Sequence, residues 1–410
     1  MATKYAPACI QQFVYPGHDL DIEWFNTPPP PAGESEDCLN VNIYAPVNGK
    51  NKTVMVWFYG GALASGANSL TAYDGSYFAA FQDVIIVTVN YRTNVFGFPG
   101  TPELPANATN LGFLDQRFAL AWVERNIAAF GGDPAKVTIF GQSAGSESVD
   151  ALVTSFAKNA PFRAAIEESG QSTFLNPIPD PYAAWNTLAA AMGCNGMDNY
   201  TLVANRTAAR LSGKIAQVPV LAGTTANEGT AFTYGGTNLT AYLTSIFPTE
   251  PSSYLDYIAS AYPIGSPGIA NVSQQIAAIA TEATYQCMQA RQLRDTKKAG
   301  IPTWRYFYNA TIPQLSIFPG AGVYHASEVR IVFGTYRMVS GQSPFEQKLS
   351  NYMMGAWASF AKNPMRGPGW SQLPMMADLG ANGVLHTTIP ASTIDARCSL
   401  FDPVYDLLEE

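Results

Sequence analysis

Gly141-Gln142-Ser143-Ala144-Gly145 follows directly on the strand-like stretch Val137-Thr138-Ile139-Phe140 and precedes small residues able to open a helix. A serine at such a junction occupies a sharp strand-to-helix turn. Flanking glycines let neighbouring backbone approach without a Cβ clash, so the Oγ projects above the edge of a sheet. The five-residue pattern is weak alone. It gains weight from Glu228, in Ala226-Asn227-Glu228-Gly229, and His325, after Gly322-Val323-Tyr324. A serine hydroxyl attacks a carbonyl only when a base takes its proton, and the base needs a group to orient it. Of the other histidines, His18 sits in a proline- and glycine-flanked stretch read as a loop and His386 follows an apolar run, and neither has comparable surroundings.

The segments around the serine alternate in period. Residues 39–44 alternate apolar and polar as a half-buried strand does, residues 54–58 form an apolar run ending at Gly60-Gly61, and residues 84–89 are β-branched on both faces. Residues 111–130 carry Leu120, Val123, Ile127 and Phe130 at helical spacing and stop at Gly131-Gly132-Asp133-Pro134. Strands are expected again at 218–221 and 304–308, and a helix over 350–362. Strands alternating with helices predict an α/β fold, with a mostly parallel central sheet and helices on both faces, in a single domain spanning 1–410.

Hydrophobic residues make up 47% of the 410 and charged residues 13%, so a sizeable core is expected rather than disorder. A net charge of −8 supplies no basic surface for nucleic acid, and apolar runs such as residues 84–87 are too short to span a bilayer. The five cysteines show no metal-ligand spacing and there are three histidines, so neither a metal nor another cofactor is expected, and disulfides are the better reading. Sequons at Asn51, Asn107, Asn199, Asn205, Asn238, Asn271 and Asn309 favour a glycosylated, secreted protein, although the opening residues show no signal-peptide pattern.

The chain resembles the type-B carboxylesterase/lipase family of α/β-hydrolases, which includes cholinesterases and secreted fungal lipases. The resemblance rests on Ser35-Glu36-Asp37-Cys38-Leu39, Gly60-Gly61, Asn90-Tyr91-Arg92, Asp115-Gln116-Arg117, Phe130-Gly131-Gly132-Asp133-Pro134, Gly141 to Gly145, Asn227-Glu228-Gly229 and His325-Ala326-Ser327-Glu328, in the family's order. It implies the α/β-hydrolase fold and cleavage of a small-molecule or lipid ester. Ser143 would be the nucleophile, His325 the base and Glu228 its acid partner. Backbone N–H groups of Gly61, Ala62 and Ala144 would form the oxyanion hole. The family commonly has a third glycine where this chain has Ala62, and alanine tolerates positive φ poorly. Glu147 and Asp150, on the presumed helix after Ser143, are expected to point away from the base and be structural.

The resemblance also pairs Cys9 with Cys38 and Cys287 with Cys398, leaving Cys194 without a partner. Two family segments are expected to be missing, one before the N-terminus and one between Arg206 and Val218, which suggests a truncated or compact version. Two rival readings stand beside an active esterase: a catalytically silent esterase-like binding module, and a fragment whose catalytic groups are not assembled.

Overall fold

The computed structural model describes residues 4–13, 18–99, 110–171 and 206–408. Among them, nine strands form one sheet: β1 (Val41–Tyr44), β2 (Lys52–Phe58), β3 (Ile85–Val89), β4 (Gly132–Gln142), β5 (Ala164–Glu168), β6 (Val220–Thr225), β7 (Thr303–Tyr308), β8 (Met375–Leu379) and β9 (Thr387–Pro390). Their spatial order is β1-β3-β2-β4-β5-β6-β7-β8-β9. β1 on β3 and β9 on β8 are antiparallel, and every pair between β3 and β8 is parallel. The expected mostly parallel sheet is therefore present, with antiparallel strands at its edges.

Side-chain alternation places the helices. In β2, Val54, Val56 and Phe58 join one buried cluster with Leu120 and Val123 of the helix Leu111–Asn126 and Val149 and Leu152 of the helix Ala144–Ser155. Met55 and Trp57 point to the other face and join a second cluster with Leu349, Met353 and Trp357 of the helix Pro344–Lys362. A period of two against a helical period accounts for helices on both faces. The β-branched run of β3 is buried at every position, as a strand covered on both faces must be.

The helix Leu111–Asn126 tightens into the 3-10 turn Ile127–Phe130 and ends at Gly131, whose φ of 86° is the left-handed conformation glycine supplies at a helix end. Strands β5, β8 and β9 were not evident from the sequence. β5 reads Ala-Ala-Ile-Glu-Glu, whose charged pair suggests a surface, yet all five residues are buried. His18 corrects the loop expectation, because it opens the helix His18–Phe25.

A third cluster packs Leu243, Leu255 and Ile258 against Cys287, Phe401 and Val404. It is closed by the Cys287–Cys398 disulfide, and Cys9 is bonded to Cys38. Cys194 lies outside the described residues. The Cys287 bridge spans 111 positions, worth roughly 4.8 kcal/mol in the chain-entropy account. Replacing both Cys287 and Cys398 by serine is expected to destabilise the fold by about 2–5 kcal/mol, read as a lower melting temperature. An unchanged melt would show that the cluster holds without the bridge.

β2 runs outward to β3, and the chain then returns to place β4 on the other side of β2. The order therefore reverses at the carboxyl ends of β2 and β4. Such a switch point is where open α/β sheets leave a crevice for ligands. Gly60-Gly61 and Ser143 follow these two strand ends.

Candidate active site

Ser143 sits at φ 56°, ψ −125°, between the end of β4 and the helix Ala144–Ser155. Its N–H donates to the Glu168 carbonyl at 2.9 Å, and its own carbonyl accepts from the Glu147 N–H at 2.9 Å. This is uncommon backbone for a residue with a Cβ, and its surroundings hold it in place. A Cβ on Gly145 would lie 2.0 Å from the Phe58 carbonyl oxygen, and one on Gly141 2.4 Å from that of Gly145. Both glycines are therefore required by close backbone approach.

His325 lies beyond β7, and the turn after β6 captures its segment. Asn227 N–H donates to the Val323 carbonyl at 2.9 Å, while Val323 N–H donates to Asn227 Oδ1 at 2.9 Å. The neighbouring Glu228 is fully buried and accepts twice, from the Thr225 N–H at Oε1 (2.6 Å) and from His325 Nδ1 at Oε2 (2.6 Å). On the opposite side of the ring, Gln142 Nε2 lies 3.0 Å from His325 Nε2. An amide N–H there requires an unprotonated Nε2, which places the ring proton on Nδ1, toward Glu228.

Ser143 and His325 line one cavity of about 550 Å³, together with Gly61, Ala62 and Ala144. Aromatic rings bound the histidine. Tyr285 and Phe232 lie 4.8 and 5.0 Å from it between ring centres. Tyr285 belongs to a π-helical turn, Thr281–Gln286, a departure from α geometry that recurs at functional sites. Trp24, Tyr234 and Phe318 pack together, with Trp24 and Tyr234 also on the cavity wall.

The chain matches the carboxylesterase family over residues 1–255 and 205–388. It belongs to that family, and relatives named as carboxylesterases and a fatty acyl-CoA hydrolase support carboxylic ester hydrolase activity. Carboxylesterase 5A of Felis catus is 32% identical over 421 residues, covering 88% of this chain and 75% of that protein. Secreted lipase 5 of Gibberella zeae is 29% identical over 404 residues, covering 83% and 70%. Cholinesterase of Mus musculus is 43% identical over 203 residues, and that match spans 47% of this chain and 32% of the mouse protein.

In this carboxylesterase-family chain, Asp150 bonds to the buried Arg210 and to Gln292 Nε2, so it is engaged away from the histidine. Glu328, three residues after His325, lies 3.4 Å from Ser169 Oγ. Burial, reinforced by Glu228 and Glu168, pushes its pKa well above the usual carboxyl range. Glu147 is buried, and it lines the cavity. Gln142, Tyr285 and Phe232 were not singled out from the sequence; the first is the variable position of the serine motif, and the others are aromatic residues with no local signature. Among the described residues, no group of histidine, cysteine and carboxylate side chains could hold a metal, and no helix is long and apolar enough to cross a membrane.

The loop after β2 carries Gly61 at φ 117°, Ala62 at φ 54° and Leu63 at φ 57°. A non-glycine residue in this region costs roughly 1–2 kcal/mol, against which glycine loses about 0.5–1 kcal/mol of chain entropy. Ala62→Gly is therefore expected to leave kcat unchanged or raise it a few-fold. A large loss in steady-state assays would show that the alanine methyl itself shapes the loop.

Proposed function

We propose that this chain hydrolyses carboxylic esters through Ser143, His325 and Glu228, by way of an acyl-enzyme. The observation that carries the reading is the 2.6 Å bond from Glu228 Oε2 to His325 Nδ1, beside a cavity that His325 shares with Ser143. Ser143 Oγ attacks the ester carbonyl while His325 Nε2, released from Gln142, takes its proton. The N–H groups of Gly61, Ala62 and Ala144 receive the developing oxyanion. His325 then returns the proton to the leaving alcohol, and water attacks the acyl-serine by the same route. Glu228 acts through the ring, stabilising the imidazolium each time it forms.

A cavity of about 550 Å³ with an aromatic wall suits a small-molecule or lipid ester. The reading extends to one domain over the chain, supported by the helix Cys287–Lys298, which contributes Leu293 to a sheet-face cluster and Met288 to the third cluster. It also extends to a secreted, glycosylated protein. Asn51, Asn238 and Asn271 are exposed, whereas Asn309 is half-buried at the end of β7. Asn107, Asn199 and Asn205 lie outside the described residues.

The test is turnover of p-nitrophenyl esters of graded chain length by the purified chain, beside labelling by a fluorophosphonate. Hydrolysis with labelling at Ser143 is expected. Neither turnover nor labelling would favour a silent binding module or an unassembled fragment.

A further inference from the structure

The cavity wall carries a cation that the catalytic reading does not use. Among the described residues that line it, Arg330 is the one lysine or arginine, and it belongs to the helix Val329–Phe333, five residues beyond His325. No hydrogen bond or ion pair engages its guanidinium among the described residues. The charged or titratable groups it feels are Tyr324 and Tyr73, both also on the cavity wall, and not the wall carboxyls of Asp21 and Glu147.

The guanidinium is unpaired but not sealed in. The Nε atoms of Arg163, Arg291 and Arg305 are closed to solvent without a partner, whereas no nitrogen of Arg330 is. Burial nevertheless pulls its pKa below the usual arginine value, which places it in a recess rather than in bulk water. An open guanidinium in a recess, on a residue lining the cavity and beside two tyrosines that line it too, is available to a ligand there.

The two tyrosines differ in what they can offer. The Tyr324 hydroxyl is already used, donating to the Leu315 carbonyl at 2.6 Å. That of Tyr73 has no hydrogen-bond partner among the described residues and, unlike those of Tyr306 and Tyr308, is not closed to solvent. The segment that carries Arg330 holds Tyr73 in place. Thr335 Oγ1 donates to the Ala72 carbonyl at 3.0 Å, and the Tyr73 and Phe333 rings lie 6.0 Å apart between centres.

A partly desolvated cation with no partner is a cost that an anion can offset and an alkyl chain cannot. We propose that Arg330 and the Tyr73 hydroxyl form a carboxylate subsite, so that the chain prefers esters bearing a carboxylate on an apolar, aromatic body. The planar guanidinium fork matches the two oxygens of a carboxylate, and the phenol adds a donor. One cation balances one negative charge, which suits a carboxylate better than a doubly charged phosphate ester. The aromatic lining receives the body of the substrate. This inference rests on the ester-hydrolase reading of the same cavity.

The experiment compares esters of one shape that differ in charge. On the acyl side the pair is methyl 4-carboxyphenylacetate and methyl 4-carbamoylphenylacetate. On the alcohol side it is 4-carboxybenzyl acetate and 4-carbamoylbenzyl acetate. In one pair, the carboxylate ester is expected to have the higher kcat/KM by at least about tenfold, as for hydrogen bonds to a charged group. Arg330→Gln should bring that ratio to near one, Arg330→Lys should keep part of it, and Tyr73→Phe should reduce it without erasing it.

A ratio near one in both pairs of the parent chain, or one that survives Arg330→Gln, overturns the inference while leaving ester hydrolysis intact. If the parent chain hydrolyses none of the four, fluorophosphonate labelling decides the catalytic reading separately. Calorimetric binding of the same esters to the Ser143→Ala chain then tests the subsite alone. Tighter binding of a carboxylate member supports it, and equal or absent binding in both pairs overturns it.

Discussion

Replacing Ser143 by alanine is expected to lower kcat for ester hydrolysis by on the order of 10⁶-fold and to abolish fluorophosphonate labelling, while the fold is retained. Alanine meets the same backbone demand as serine at φ 56°, ψ −125°, and the serine side chain makes no capping bond that would be lost. The contacts that hold the turn belong to Gly141, Gly145 and the Ser143 backbone, none of which the substitution touches. Circular dichroism and the melting temperature should therefore match the parent chain. Equal labelling of parent and variant would remove Ser143 from the role proposed for it.

Glu228→Gln should lower kcat by roughly 10⁴-fold with little change in shape. Both Glu228 oxygens accept, one from the Thr225 N–H and one from His325 Nδ1. A carboxamide has a single acceptor, so one contact must set donor against donor. If the amide nitrogen faces the ring, the imidazole proton shifts to Nε2, and the nitrogen needed as base is lost. If it faces Thr225, a buried backbone N–H goes unmet and the side chain is pushed from its position. Glu228→Asp keeps two acceptors at shorter reach and should fall between parent and glutamine variant. Activity of Glu228→Gln within a few-fold of the parent would assign the orienting role to another group.

The serine turn was legible because it is local: glycines at both ends of a five-residue run, after a β-branched strand, announce a close backbone approach wherever they sit in the molecule. The strands β2, β3 and β7 were legible for a similar reason, since their apolar runs are read without knowing their neighbours. β5 was not, because Glu167 and Glu168 look like surface residues. Gln292 bonds the first and Trp357 the second, and both partners are remote in sequence. Burial pushes each of these carboxyls up to about 8, so their cost is met by protonation as well as by hydrogen bonding.

Sequence alone determined the class of fold, the family resemblance and three candidate catalytic residues, because each depends on short-range spacing or on motifs in a set order. Tertiary structure decided what surrounds those residues. It set Gln142 against His325 Nε2, brought Tyr285 to the ring through a π turn, and placed Glu147 along the cavity wall. Helical periodicity says which residues of the helix after Ser143 share a side. Which neighbour faces that side is fixed by the crossing of elements distant in sequence. Strand order, with its reversal between β2 and β4, therefore decided where the crevice opens and which buried polar groups line it.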